Sequence, residues 1–136
     1  MRKRSRRIAA PPAFVVLAAL AALLALSASA CRERHSLVVT ATAYNSVPSQ
    51  TDHLPTRAAW GDELRPGMRV IAVSPDLLER GLDRGTRVHV EGLPGTYRVL
   101  DKTHGRFRRR VDVYMGEDVE RAREWGAREV RITWFD

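Results

Sequence analysis

From Leu37 onward the hydrophobic and polar positions alternate in short runs, the signature of strands with one buried face. Leu37 to Tyr44 is rich in Val and Thr, and Arg69 to Val73 is a mostly apolar run. Arg87 to Glu91 sets Val88 and Val90 against Arg87, His89 and Glu91. The turn signal Leu93-Pro94-Gly95 follows, so Thr96 to Asp101 pairs back as a hairpin strand. Val111 to Tyr114 makes a fifth strand. Glu129 to Trp134 makes a sixth, with Val130, Ile132 and Trp134 on one face. Two short helices interrupt them. Ser74-Pro75 reads as an N-cap with proline at the first helical position, and Gly81 closes that turn after Arg80. A second helix runs from about Glu117 to Trp125, with acids at its start, Gly126 at its exit, and Val119, Ala122 and Trp125 on one stripe. Asn45 to Pro66 has little periodicity and is a long loop for so small a domain. Six short strands with brief connections predict a small, mainly β barrel.

The opening residues follow another pattern. Ile8 to Leu26 is uncharged and apolar, preceded by Arg2, Lys3, Arg4, Arg6 and Arg7 and followed by the small residues Ser27 to Ala30 and then Cys31. This is the layout of an export leader. It resembles a bacterial lipoprotein signal, in which that cysteine becomes the lipidated first residue; simple secretion and an uncleaved membrane anchor also fit its length. The expected organisation is a leader over 1–30, a tether over 31–36, and one domain over 37–136. The expected place is the cell envelope: the periplasm, held by lipid at the outer membrane if the cell has one. A lipid chain beside Arg32 and Arg34 suits an anionic membrane surface.

Charge then changes one conclusion. The whole chain carries a net charge of +7, which invites a nucleic-acid reading. Five of its 23 basic residues lie in the first seven positions, where no acid stands, so the domain is nearly balanced. With an export leader, nucleic acid is not the expected partner. The single cysteine excludes an internal disulfide framework and any multi-cysteine zinc site. His35, His53, His89 and His104 lack ligand spacing, so neither metal nor cofactor is expected.

Candidate chemistry concentrates between Asp101 and Gly116. Two aspartates bracket the cationic run Arg106 to Arg110, which contains Phe107. Alternation puts Asp112 and Tyr114 on the face opposite Val111 and Val113. A half-covered carboxyl there would have a raised pKa suited to general-acid work. The same aspartate also suits a pairing role with one of the 21 arginines, and both readings stand at this point. Arg106 to Arg110 suits either a solvated loop or capture of carboxylates and phosphates.

The ordered set Thr42-Ala43-Tyr44, Ala59-Trp60-Gly61-Asp62, Ile71-Ala72-Val73, Gly85-Thr86, Asp101, Val111-Asp112-Val113-Tyr114 and Trp125-Gly126 resembles the 3D domain. That family is named for three aspartates and is similar to the catalytic part of membrane-bound lytic transglycosylase A. The step from Asp101 to Asp112 agrees with the family's spacing between its second and third aspartates. The first falls on Ser74, where the N-cap reading makes it structural; Asp76 is a substitute placed for the helix dipole. Thr103-His104 stands where many relatives have Gly-Gly.

The resemblance implies a six-stranded double-psi β-barrel that acts on peptidoglycan glycan strands. It implies Asp112 as the acid and base of a one-carboxyl cleavage that leaves 1,6-anhydro ends, with Asp101 tuning it. Tyr44, Thr42, Trp60, Tyr114 and Arg110 are the expected substrate-binding residues, and Cys31 the lipidated one. A non-catalytic peptidoglycan-binding lipoprotein is the alternative.

Overall fold

The computed structural model describes residues 32–47 and 56–136. The leader and Cys31 lie outside the described residues, as does part of the long loop. Six strands carry the domain: β1 (Arg34–Tyr44), β2 (Val70–Val73), β3 (Arg87–Val90), β4 (Tyr97–Lys102), β5 (Arg110–Tyr114) and β6 (Arg128–Phe135). They close into a barrel in the order β1-β5-β2-β4-β3-β6. Two pairs are parallel, β1 with β5 and β2 with β4, and the remaining pairs are antiparallel. This is the expected mainly β, six-stranded double-psi β-barrel.

Alternation decides what faces inward. Val39, Ala41, Ile71, Val73, Val88, Val90, Val99, Val111, Val113 and Ile132 fill the interior. Most are β-branched, which suits a pleated surface packed on one side. The outward positions of four strands hold a second apolar cluster: Val70, Leu100 and Tyr114 with Ala58 and Leu64, flanked by Tyr44 and Met68. This cluster seats residues 56–68 against the barrel. The bridge between Arg57 and Glu63 and the fork of Arg84 on Asp62 (2.9 and 2.6 Å) hold that loop in shape.

Two local expectations change. The strand β1 begins at Arg34, so three residues read as tether belong to the barrel. Arg34 to Ala41 pair continuously with Phe135 to Arg128, and backbone pairing needs no apolar side chains at Arg34 or Ser36. The first helix, α1 (Pro75–Leu78), is a single turn closed by the Gly81 amide on the Leu78 carbonyl. Ser74 occupies its N-cap position with extended backbone but makes no side-chain cap bond. The second helix, α2 (Val119–Trp125), starts where Asp118 accepts from the Arg121 amide at 2.9 Å, and it buries Trp125.

Candidate functional site

A bulge places the site. In β4, Tyr97 and Val99 point into the barrel, so strict alternation would send Asp101 inward as well. The register between β2 and β4 shifts between Ile71 and Ala72: Ile71 pairs with Val99, and Ala72 with Asp101. The extra residue, Leu100, joins the outer cluster, and Asp101 emerges on the outer face. Re-aiming a side chain in this way is a common use of a bulge.

Across the next strands the register is regular. Ala72 pairs with Asp112 of β5, and Asp112 with Thr42 of β1. The outer face therefore carries the row Asp101, Ala72, Asp112, Thr42. With strands about 4.8 Å apart, the two aspartate backbones stand about 10 Å apart over a methyl floor.

The two carboxylates are held differently. Asp112 Oδ1 accepts from Thr42 Oγ1 and from Arg110 Nε at 3.2 Å. Arg110 Nη2 also donates to Thr42 Oγ1 at 3.0 Å, closing a triangle. Asp112 Oδ2 has no hydrogen bond among the described residues. Burial pushes the Asp112 carboxyl above the usual range; the hydrogen bond and charge of Arg110 pull it part of the way back, and Asp101 adds a smaller upward push. Phe107 orients Arg110, whose guanidinium lies 4.1 Å from its ring centroid.

Asp101, by contrast, has both oxygens occupied. Tyr44 Oη donates to Oδ2 at 3.1 Å, and the amides of Ala59 and Lys102 donate to Oδ1 at 2.7 and 2.9 Å. Burial, then the charge and hydrogen bond of Asp101, drive the Tyr44 phenol far above its ordinary pKa, so Tyr44 is a fixed donor. The Ala59 contact ties the loop carrying Trp60 to the site. Lys102 Nζ sits 4.4 Å from the centroid of the Trp60 ring, which is half-buried.

The structure thus brings Asp101, Asp112, Thr42, Tyr44 and Arg110 onto one face. Tyr114 shares that face but is buried, and its hydroxyl pairs with Ser46 at 2.7 Å instead of with Asp112. The residues that sequence reasoning missed are Ala59 and Lys102, which act on Asp101 through backbone amides and so leave no side-chain signal.

Ser74 also departs from expectation. It is fully buried; its hydroxyl donates to Asp76 Oδ1 at 2.7 Å and accepts from the Arg110 amide at 3.0 Å. Asp76 accepts from the Arg109 amide as well. Burial acts against ionisation of Asp76, but the Ser74 and Arg109 bonds hold its carboxyl below the usual range. These two residues therefore anchor the start of β5 behind Asp112, where a cap and a helix-dipole charge were expected.

Among the described residues, Glu33, His35 and Asp136 offer ligand atoms within 4.8 Å of one another, where the start of β1 pairs with the end of β6 and away from the aspartate row. His35 Nε2 already lies 2.8 Å from Asp136 Oδ2.

The closed barrel and the row on its outer face define a double-psi β-barrel domain with a polar, carboxylate-bearing face. No family model and no curated protein matches the chain. Among solved structures it is similar to the apo form of an expansin from Clavibacter michiganensis, with 22% identity and a TM-score of 0.50 over 74% of this chain and 50% of that one. A mutant of that expansin in complex with cellohexaose aligns with 20% identity and a TM-score of 0.44, over 74% of this chain and 49% of that one. The chain spans about half the length of these expansins.

Proposed function

We propose that this chain is a cell-envelope polysaccharide-binding protein whose outer face, between Asp101 and Asp112, receives peptidoglycan glycan strands. The observation that carries this reading is the row Asp101, Ala72, Asp112, Thr42: two carboxylates flank a small residue, their backbones about 10 Å apart. Hydroxyl and carboxylate groups held by fixed partners suit sugar hydroxyls, which both donate and accept. Trp60, clamped by Lys102, offers an aromatic edge on the loop that Asp101 holds. The leader, with a lipidated Cys31, would put the domain at a membrane within the envelope.

One observation favours a second reading, cleavage in the manner of a lytic transglycosylase. Asp112 combines a raised pKa with one unoccupied oxygen. Its acid form would protonate the glycosidic oxygen as the bond from the anomeric carbon breaks. The sugar's own C6 hydroxyl would then bond to that carbon and return its proton to Asp112. Arg110 would stabilise the carboxylate between the two transfers. In this reading Asp101 is a positioning residue.

Incubating the full chain with purified sacculi separates the readings. Sedimentation of wild type with sacculi, weakened in Asp112→Asn, supports the binding face; no sedimentation refutes it. Mass spectrometry of the released muropeptides decides on cleavage: anhydro ends in wild type and none in Asp112→Asn establish it, and their absence leaves a binder.

A further inference from the structure

A second charged surface lies along β3 and β4, beyond the aspartate row. Arg87 and Arg98 stand directly opposite each other across the two strands, and Val70 flanks Arg98 on the other side. Arg69 joins them: its carbonyl accepts the Arg98 amide at 2.9 Å, and its guanidinium crosses over Gly95. A Cβ at position 95 would collide with Arg69 Nη1, so the absence of a side chain there leaves room for the cation. None of the three guanidinium groups has an acidic partner or a hydrogen bond among the described residues. Like charges directly opposite in a sheet are destabilising, so this arrangement costs folding energy that a bound anion would recover.

The shape agrees with the charge. Two adjoining grooves, of about 620 and 440 Å³, share Arg87 and Thr96. The larger is edged by Phe135, which is 52% exposed and the one exposed large hydrophobic residue among those described. Asp136, which also lines it, is engaged with His35. Guanidinium groups beside a bare aromatic ring suit a polymer of sugar rings carrying anionic groups.

We propose that Arg69, Arg87 and Arg98 form an anion-binding site for an acidic polysaccharide, gripping its carboxylates or phosphodiesters. Arg98 and Asp101 lie three residues apart on β4, about 10 Å along the strand. The choice of a polysaccharide over another polyanion rests on the proposed function of the aspartate row; the anion site itself does not.

The test is binding of the full chain to polygalacturonate, to poly(glycerol phosphate), to neutral dextran and to a short DNA duplex at low salt. Wild type is compared with the double variant Arg87→Gln, Arg98→Gln and with Arg98→Glu. The basic leader is common to all, so differences read the groove. Expected is at least about tenfold weaker binding of one or both acidic polymers in the variants, with dextran unaffected. The polymer that loses more identifies carboxylate or phosphate as the ligand. Arg98→Glu should melt no lower than wild type, because an opposite charge then faces Arg87. Unchanged binding of both polymers in the variants overturns the proposal, as does wild type that prefers neither to dextran. A loss confined to DNA would replace the polysaccharide with nucleic acid. Retained polyanion binding by a chain that ignores sacculi would sink the reading of the aspartate row and leave the anion site standing.

Discussion

Asp101 and Asp112 pair with the same residue, Ala72, from opposite sides of β2. Across one methyl group the sheet thus holds one aspartate saturated with donors and one with an oxygen to spare. The saturated one ties the loop at Ala59 to the sheet, and the other keeps Oδ2 without a hydrogen bond among the described residues.

The raised pKa of Asp112 has a consequence for stability. A carboxyl whose folded pKa lies above its unfolded value contributes stability that is fully present below about pH 3.9 and is lost as pH rises through the folded pKa. Asp112→Asn removes this loss. Stability of wild type relative to Asp112→Asn should therefore fall from pH 3 to pH 7, measured by denaturant melts at each pH. Asp76 and Asp62, whose pKa values are lowered, act in the opposite direction but equally in both proteins. A constant difference across that range would mean that Asp112 is not pushed up.

Asp101→Ala strips the Tyr44 hydroxyl and the Ala59 amide of their acceptor together. Leaving the partly buried Tyr44 hydroxyl unpaired should cost about 1–3 kcal/mol. The loop should also loosen locally, so the Ala59 amide should exchange its hydrogen faster than in wild type by NMR. Asp101→Asn, which keeps one carbonyl acceptor, should fall in between. Unchanged exchange at Ala59 in Asp101→Ala would show that the outer apolar cluster alone holds the loop.

Much of this barrel was legible because inward positions carry Val and Ile at period two, as in Val88 and Val90 or Val111 and Val113. What alternation cannot show is where it breaks. Leu100 is apolar and reads as an ordinary strand residue, yet it is the bulged one that turns Asp101 outward. The partners of Asp101 were hidden for another reason, since backbone amides belong to every residue. Arg69, Arg87 and Arg98 come from three segments, and only the closed order of strands makes them neighbours. Arg34 and Ser36 carry no strand signal because their pairing with Phe135 and Thr133 uses backbone groups.

The chemistry around Ser74 makes it more than a cap. Ser74→Ala would leave the Arg110 amide without its acceptor and free one oxygen of Asp76. The expected loss is about 1–3 kcal/mol, with the upper end reflecting the full burial of the site. Asp76→Ala should be non-additive with it, because both changes release the same turn before β5. A double-mutant cycle by urea melts measures the coupling. Full additivity would return Ser74 to the role of a simple helix-entry residue.

Gly116 fixes the far end of the site strand. Its backbone has φ +60°, and a Cβ there would meet the Pro66 Cα at 3.2 Å. Its carbonyl accepts from the Ser46 amide at 2.9 Å and from Asn45 Nδ2 at 3.2 Å, so this one residue joins the end of β5 to the loop after β1. Gly116→Ala would face both a left-handed backbone, costing about 1–2 kcal/mol, and a backbone contact that cannot rotate aside as a side chain would. The expected result is a lower melting temperature and a shifted Tyr114 ring environment in near-ultraviolet circular dichroism, because Tyr114 and Ser46 share a hydrogen bond at this junction. If Gly116→Ala melted with wild type, Pro66 would have to move, and the seating of residues 56–68 on the outer cluster would be looser than their contacts indicate.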